Sequence, residues 1–254
     1  MSRSRLARIA LSAVLAATAT PLAAHAQQAR VVTAAAPDAE RSALGRKLAE
    51  VLNSEALTLA QADKMLDQTV PGLAASNPEM AFMEREHPGV LKAVADAMRP
   101  IIVEGTRKKL PELWKRLGAI FAGGMTADEL HAALVFYQSP LGARIIKVMG
   151  EDSDFSQMLS ERLRNDQSDI TEQGLRTGLM KGAAGVINRL PQADILAIAR
   201  FMRTPAGGKI RELTPQIQAA AVAWGNESDP AIDTQIEQAV TRAVGRFVKE
   251  HPAK

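Results

Sequence analysis

The sequence predicts an all-α fold: a multi-helix bundle of about eight to ten helices, with an internal duplication of a helix-corner-helix unit. Three observations carry this. Ala, Leu and Arg are the commonest residues and runs of β-branched residues are nearly absent, a composition that favours helix. Apolar residues recur at three- and four-residue intervals, the period of a helix with one buried face. The phrase F-x-x-[Ser/Thr]-Pro-x-Gly-x-[Arg/Lys]-Ile stands at 136–145 and again 65 positions later, at 201–210.

Residues 1–26 read as a cleavable signal peptide. Arg3, Arg5 and Arg8 precede a small apolar run, and Ala24-His25-Ala26 offers the cleavage site. The run is shorter than the ~20 residues a membrane span needs, so no span is expected after cleavage behind Ala26. Three of the 31 Lys and Arg lie in that segment, with no acid, so the remaining chain balances 28 bases against 28 acids. The basic pI of the whole chain therefore gives no support to nucleic-acid binding. With no cysteine, an exported chain must hold itself by packing alone.

Residues 27–40 lack a period and are expected to be a flexible lead-in to a helical domain over 41–254. Leu44, Leu48, Val51 and Leu52 form the first stripe; Leu59, Ala62, Leu66 and Val70 form the second, which Pro71-Gly72 should end. "ASNPEM" (75–80) reads as a turn. Leu91, Val94, Met98, Ile101 and Ile102 give the next face over 88 to about 109, with a kink or break at Pro100. Pro111 should open a new helix bearing Leu113, Leu117, Ile120 and Phe121, closed by Gly123-Gly124.

Thr126 and Glu129 make a capping box, and the helix they open carries Leu130, Ala133, Leu134 and Tyr137. A short helix with Ile145, Ile146 and Val148 follows the corner; Phe155, Met158, Leu159 and Leu163 form a later face, and Leu175, Leu179, Ala183 and Val186 another. Ile195, Ile198, Ala199 and Met202 then repeat the places of Leu130, Ala133, Leu134 and Tyr137. Asp229-Pro230 opens the last helix, with Ile232, Ile236, Val240, Ala243 and Phe247 inside.

The repeated phrase reads as a corner. Proline drives its predecessor out of the helical region. Ser139 and Thr204 then become N-caps, with Pro140 and Pro205 at the first helical position, where the missing N–H costs nothing. Phe136 and Phe201 are placed to pack beneath the corner, and Gly142 and Gly207 to let another backbone approach. The competing reading is an anion site at the helix start beside Arg144 or Lys209.

"MTADELHAALVFYQSPLGARIIKVM" (125–149) resembles the core of the domain-of-unknown-function 2059 family, with its Thr-x-x-Glu-Leu opening and Phe-Tyr-x-Ser-Pro-x-Gly corner. The resemblance extends over about 88–150, with a looser copy at about 155–215. It implies a helical, exported, bacterial protein and no established activity.

Residues for familiar chemistry are missing from their required spacings. His87, His131 and His251 are isolated, there is no nucleophile elbow or phosphate-cradling glycine loop, and no cysteine. Glu151, Asp152 and Asp154 lack calcium-loop spacing and read as a helix-start cluster. Arg107, Lys108 and Lys109, flanked by Glu104 and Glu112, read as a solvated helix face. Gly174, Gly178 and Gly182 read as close packing of two helices. No catalytic, cofactor-binding or metal-ligating set is assigned. The expectation is a non-enzymatic periplasmic protein that binds an envelope partner. The rival is a carrier of an apolar molecule in a pocket lined by Met65, Met80, Met83 and Met98; an enzyme comes third.

Overall fold

The computed structural model describes residues 38–76, 78–154 and 169–252. The expected signal peptide at 1–26, most of the expected lead-in and the predicted face Phe155, Met158, Leu159 and Leu163 lie outside them. Among the described residues the chain is helical, with no strand: α1 Ala39–Leu52, α2 Glu55–Ser76, α3 Pro78–Glu86, α4 Val90–Gly124, α5 Ala127–Gln138, α6 Pro140–Asp152, α7 Glu172–Arg189, α8 Gln192–Met202, α9 Pro205–Asn226 and α10 Pro230–Glu250.

The axis is α4, 35 residues long and so ~50 Å from end to end. Its first half carries Val90, Leu91, Val94, Met98 and Ile102 into a core shared with α2 and α10. Its second half carries Leu110, Leu113, Leu117 and Phe121 into a core shared with α1, α5 and α9. A third core joins α6, α7 and α9 through Met149, Leu175, Leu179, Ala183, Val186 and Ala221. The start of α4 is held by Glu84, whose two carboxylate oxygens accept from the N–H groups of Gly89 (2.8 Å) and Leu91 (3.0 Å). An anion at a helix start suits the dipole there, and Gly89 takes the left-handed φ of 96° that the entry requires.

Several expected boundaries differ. Helix α2 runs through Pro71-Gly72 to Ser76, and α4 is continuous through both Pro100 and Pro111. An interior proline costs ~3 kcal/mol, yet Met98, Ile102, Leu110 and Leu113 are all buried within four residues of Pro100 or Pro111. At ~1.5–3 kcal/mol for each such side chain, burial outweighs the break. Pro78 opens α3 where a turn was expected, and α1 begins at Ala39 because the Asp38 carboxylate accepts from Arg41 N–H at 2.8 Å. Glu151 and Asp152 end α6 rather than start a helix; Arg189 of α7 meets both, at 2.9 and 2.7 Å, and Lys181 meets Asp154. Arg107 and Lys108 pair with Glu55 and Glu104 on the surface, but Lys109 turns inward onto α9. Close packing at the glycine stripe centres on Gly182, with Gly185 one turn on. A Cβ on Gly182 would stand 2.5 Å from Ser153 Oγ and 2.8 Å from the Met149 carbonyl oxygen.

Candidate functional site

The two corners share one local geometry. Ser139 and Thr204 are extended (φ −68°, ψ 160° and φ −72°, ψ 161°). Their hydroxyl oxygens accept from Gly142 N–H at 3.1 Å and Gly207 N–H at 3.2 Å, and donate to the carbonyls of Phe136 and Phe201 at 2.6 and 2.7 Å. Pro140 and Pro205 stand at the start of α6 and α9. A Cβ on Gly142 would fall on the Phe136 carbonyl oxygen and 2.5 Å from Tyr137 Cα; one on Gly207 would fall on the Phe201 carbonyl oxygen and 2.7 Å from Met202 Cα. The backbone that approaches each glycine is thus the last turn of the helix before its own corner.

The corners also touch each other. The rings of Phe136 and Phe201 lie 3.8 Å apart between centroids at 1°, and Tyr137 presents its edge to both, at 5.2 and 5.7 Å. Arg144 of α6 reaches Asp194 of α8 at 2.7 Å. The Lys209 ammonium is held above its ordinary value chiefly by its hydrogen bond to Glu212, with a further contribution from Glu129 of α5.

Beside this aromatic stack the surface opens into a cleft of about 120 Å³. Ala183, Val186 and Ile187 of α7 form one wall, Ile195, Ile198 and Met202 of α8 the other, and α5 and α6 close the floor with Tyr137 and Met149 among others. The walls do not end at the cleft. Met180 and Ile187 on α7 and Leu196 on α8 stand out in solvent, Ile187 with 61% of its surface exposed. Burial pushes the Tyr137 hydroxyl well above its ordinary value, so the phenol facing the cleft is neutral.

Sequence reasoning placed Val186, Ile195, Ile198 and Met202 on apolar faces but missed Ile187 and Leu196. The signal lay in the doubled apolar pairs Val186-Ile187 and Ile195-Leu196, which widen each stripe beyond what one core contact uses. It also missed the clasp between α4 and α9. There Trp224 Nε1 donates to the Lys109 carbonyl at 3.2 Å, and the Lys109 ammonium lies over the Trp224 ring and donates to the Glu227 carbonyl at 2.8 Å. The methionines named for an apolar carrier are packing residues: Met65 and Met98 are buried, and Met80 and Met83 pack against the α2–α4–α10 core.

His131 lies 3.7 Å from Glu40 on the surface, His87 Nδ1 contacts the His251 carbonyl, and Asp63 and Asp67 both engage Arg99. Among the described residues no three His, Asp or Glu gather where a metal ion could be held, and no helix is long and apolar enough to cross a membrane.

Fold and cleft together define a helical bundle strung on one long helix, with capped proline corners meeting beside an open apolar cleft. A family model described as "Uncharacterized protein conserved in bacteria (DUF2059)" matches residues 112–162, the region that holds the corner phrase at 136–145, so the chain is similar to that family over this stretch. The match begins inside α4 and spans α5 and α6; a second copy is not matched, and the phrase at 201–210 lies outside it. No curated protein and no solved structure matches the chain.

Proposed function

We propose that this chain is a non-enzymatic binding protein of the bacterial periplasm, exported by residues 1–26, and that the apolar cleft between α7 and α8 is where it takes a protein partner. One observation carries the reading: a cleft whose walls are apolar and continue outward into exposed Ile187 and Leu196. Contiguous apolar surface of this kind marks interaction sites. The volume favours a protein partner over the carrier alternative. About 120 Å³ is near the ~150 Å³ of a cavity that admits one benzene, and well short of the ~300–1,000 Å³ of small-molecule pockets. One anchoring side chain fits, which is how interface hot spots work.

The corners are read as structural parts of this site rather than as anion sites. Each capping hydroxyl already takes the N–H an anion would need, and Arg144 and Lys209 are engaged by Asp194 and Glu212. The test is capture from envelope extracts with the exported protein and with Ile187→Glu, followed by mass spectrometry of proteins and lipids. A protein retained by the wild type and lost from the variant is expected. A lipid or small apolar molecule in its place would establish the carrier, and capture indifferent to Ile187 would overturn the reading. The intact mass of the exported protein should correspond to a chain beginning at Gln27.

A further inference from the structure

From one internal correspondence we infer that the occupant of the cleft is an amphipathic helix of the partner protein, seated as α1 is seated on α4 and α5. This rests on the partner-binding reading above and names the form the partner takes.

The correspondence is a shift of 65 residues, and it holds without a gap. Helix α4 ends at Gly124 and α7 at Arg189; α5 starts at Ala127 and α8 at Gln192; α6 starts at Pro140 and α9 at Pro205. The packing is reciprocal. Helix α6 of the first set packs along α7 of the second, and α9 of the second packs along α4 of the first.

In the first set, α1 covers α4 and α5. Its Leu48 and Leu52 are fully buried in a core with Phe121, Leu130, Ala133 and Tyr137. Its backbone at Gly45 and Arg46 lies against Gly118 and Ala122, so close that a Cβ on Gly118 would stand 2.8 Å from Arg46 Cα. Moved by 65, these six residues of α4 and α5 become Val186, Ile195, Ile198, Met202, Ala183 and Ile187. Those six are the two walls of the cleft. The cleft is therefore the second set's counterpart of the surface that α1 covers in the first.

The residues that differ state what the occupant needs. Ala183 and Ile187 replace Gly118 and Ala122, so the incoming helix rides higher than α1 does and needs large side chains to reach the floor. The α1 stripe, Leu44, Leu48, Val51 and Leu52, is the pattern required: apolar residues at i, i+4, i+7 and i+8. On the flank, His131 and Gln138 of α5 become Leu196 of α8 and Arg203, which caps its end. Leu196 and Arg203 are both exposed. In the first set that flank meets α1 through Glu40 and His131; in the second, Arg203 calls for an acidic residue beside the apolar stripe.

The probe is a labelled peptide of residues 38–53, which carries the α1 stripe, titrated into the mature protein and followed by fluorescence anisotropy and helical circular dichroism. Saturable binding with gain of helix is expected. It should weaken at least about tenfold with Ile187→Glu or Leu196→Glu, two exposed positions where the fold tolerates the change, and with Leu48→Glu in the peptide. Unchanged melting of the two protein variants establishes that they fold. No saturable binding, or binding indifferent to the cleft variants, overturns the inference. If envelope capture still depends on Ile187, only the helical occupant has failed; if it does not, the partner-binding reading fails as well.

Discussion

Phe136 and Phe201, 65 residues apart, stack ring on ring with centroids 3.8 Å apart and planes within 1° of parallel. Each closes the last turn before a proline corner, so the stack joins the two corners directly. Removing Phe201, which is buried, should cost ~3–5 kcal/mol as Phe201→Ala. Removing Phe136, which is half-buried, should cost less. A double-mutant cycle should return a coupling no larger than the low end of the ~0.5–1.5 kcal/mol of aromatic pairs, because rings stacked this directly set like quadrupole faces against each other. Chemical denaturation of the two single variants and the double variant measures it; additive losses would show that the stack contributes area alone.

The corner hydroxyls permit a matched comparison. Ser139→Ala and Thr204→Ala each remove one cap oxygen, and each should lower stability by ~1 kcal/mol. Added phosphate should leave the difference from wild type unchanged, because the neighbouring cations, Arg144 and Lys209, stay paired with Asp194 and Glu212 whether or not the cap oxygen is present. Thermal melts with and without phosphate check both statements. A phosphate stabilisation of the wild type that Arg144→Ala abolishes would turn the corner into an anion site.

Much of this was legible in the sequence. The capping box closes as expected, with Glu129 N–H donating to Thr126 Oγ1 at 3.2 Å and Thr126 N–H donating to the Glu129 carboxylate at 2.8 Å. The stripe Leu130, Ala133, Leu134, Tyr137 is buried throughout. What failed was punctuation. Pro71 reads as an end, Pro111 as a start and Pro100 as a kink or break because a proline's local penalty is visible in sequence, while the burial that keeps the helix continuous comes from helices far along the chain. The cleft was hidden for the same reason. Ile195, Ile198 and Met202 have the spacing of Leu130, Ala133 and Tyr137, and nothing local says that α1 covers one set and leaves the other open. Trp224 and Lys109 meet across 115 residues, a pairing no short-range pattern contains.

Tyr137 is the only tyrosine in the chain, so its ionisation can be followed alone by ultraviolet absorbance. Burial raises its folded pKa above the ordinary value of 10. Above pH 10 the unfolded chain loses that proton and the folded one keeps it, so stability falls as pH rises, by up to ~1.4 kcal/mol per pH unit. Lys109 acts in the opposite sense at this end of the scale, since desolvation lowers its pKa and disfavours its charged form in the fold. The comparison is therefore with Tyr137→Phe, which keeps Lys109. Denaturation from pH 8 to 11 should show the wild type losing stability relative to the variant only above about pH 10. Phenolate absorbance should appear together with unfolding.

Adjacent glycines Gly207 and Gly208 should respond to alanine with opposite signs. At Gly207 the new Cβ would fall on the Phe201 carbonyl oxygen and 2.7 Å from Met202 Cα, both backbone atoms of the preceding turn. Neither can move without opening the corner, so Gly207→Ala should cost ~1–3 kcal/mol, the usual range for overpacking. At Gly208 nothing lies within 4 Å of the Cβ position. There the substitution trades glycine for the best helix former inside α9 and should add up to ~1 kcal/mol. The first corner supports this, because position 143, which corresponds to 208 by the 65-residue shift, already carries alanine. Gly142→Ala should behave as Gly207→Ala does, for the same backbone contact. Urea denaturation of the three variants separates the outcomes. A neutral Gly207→Ala would mean that the corner opens at little cost and that its glycine is not required by the approach of the turn before it.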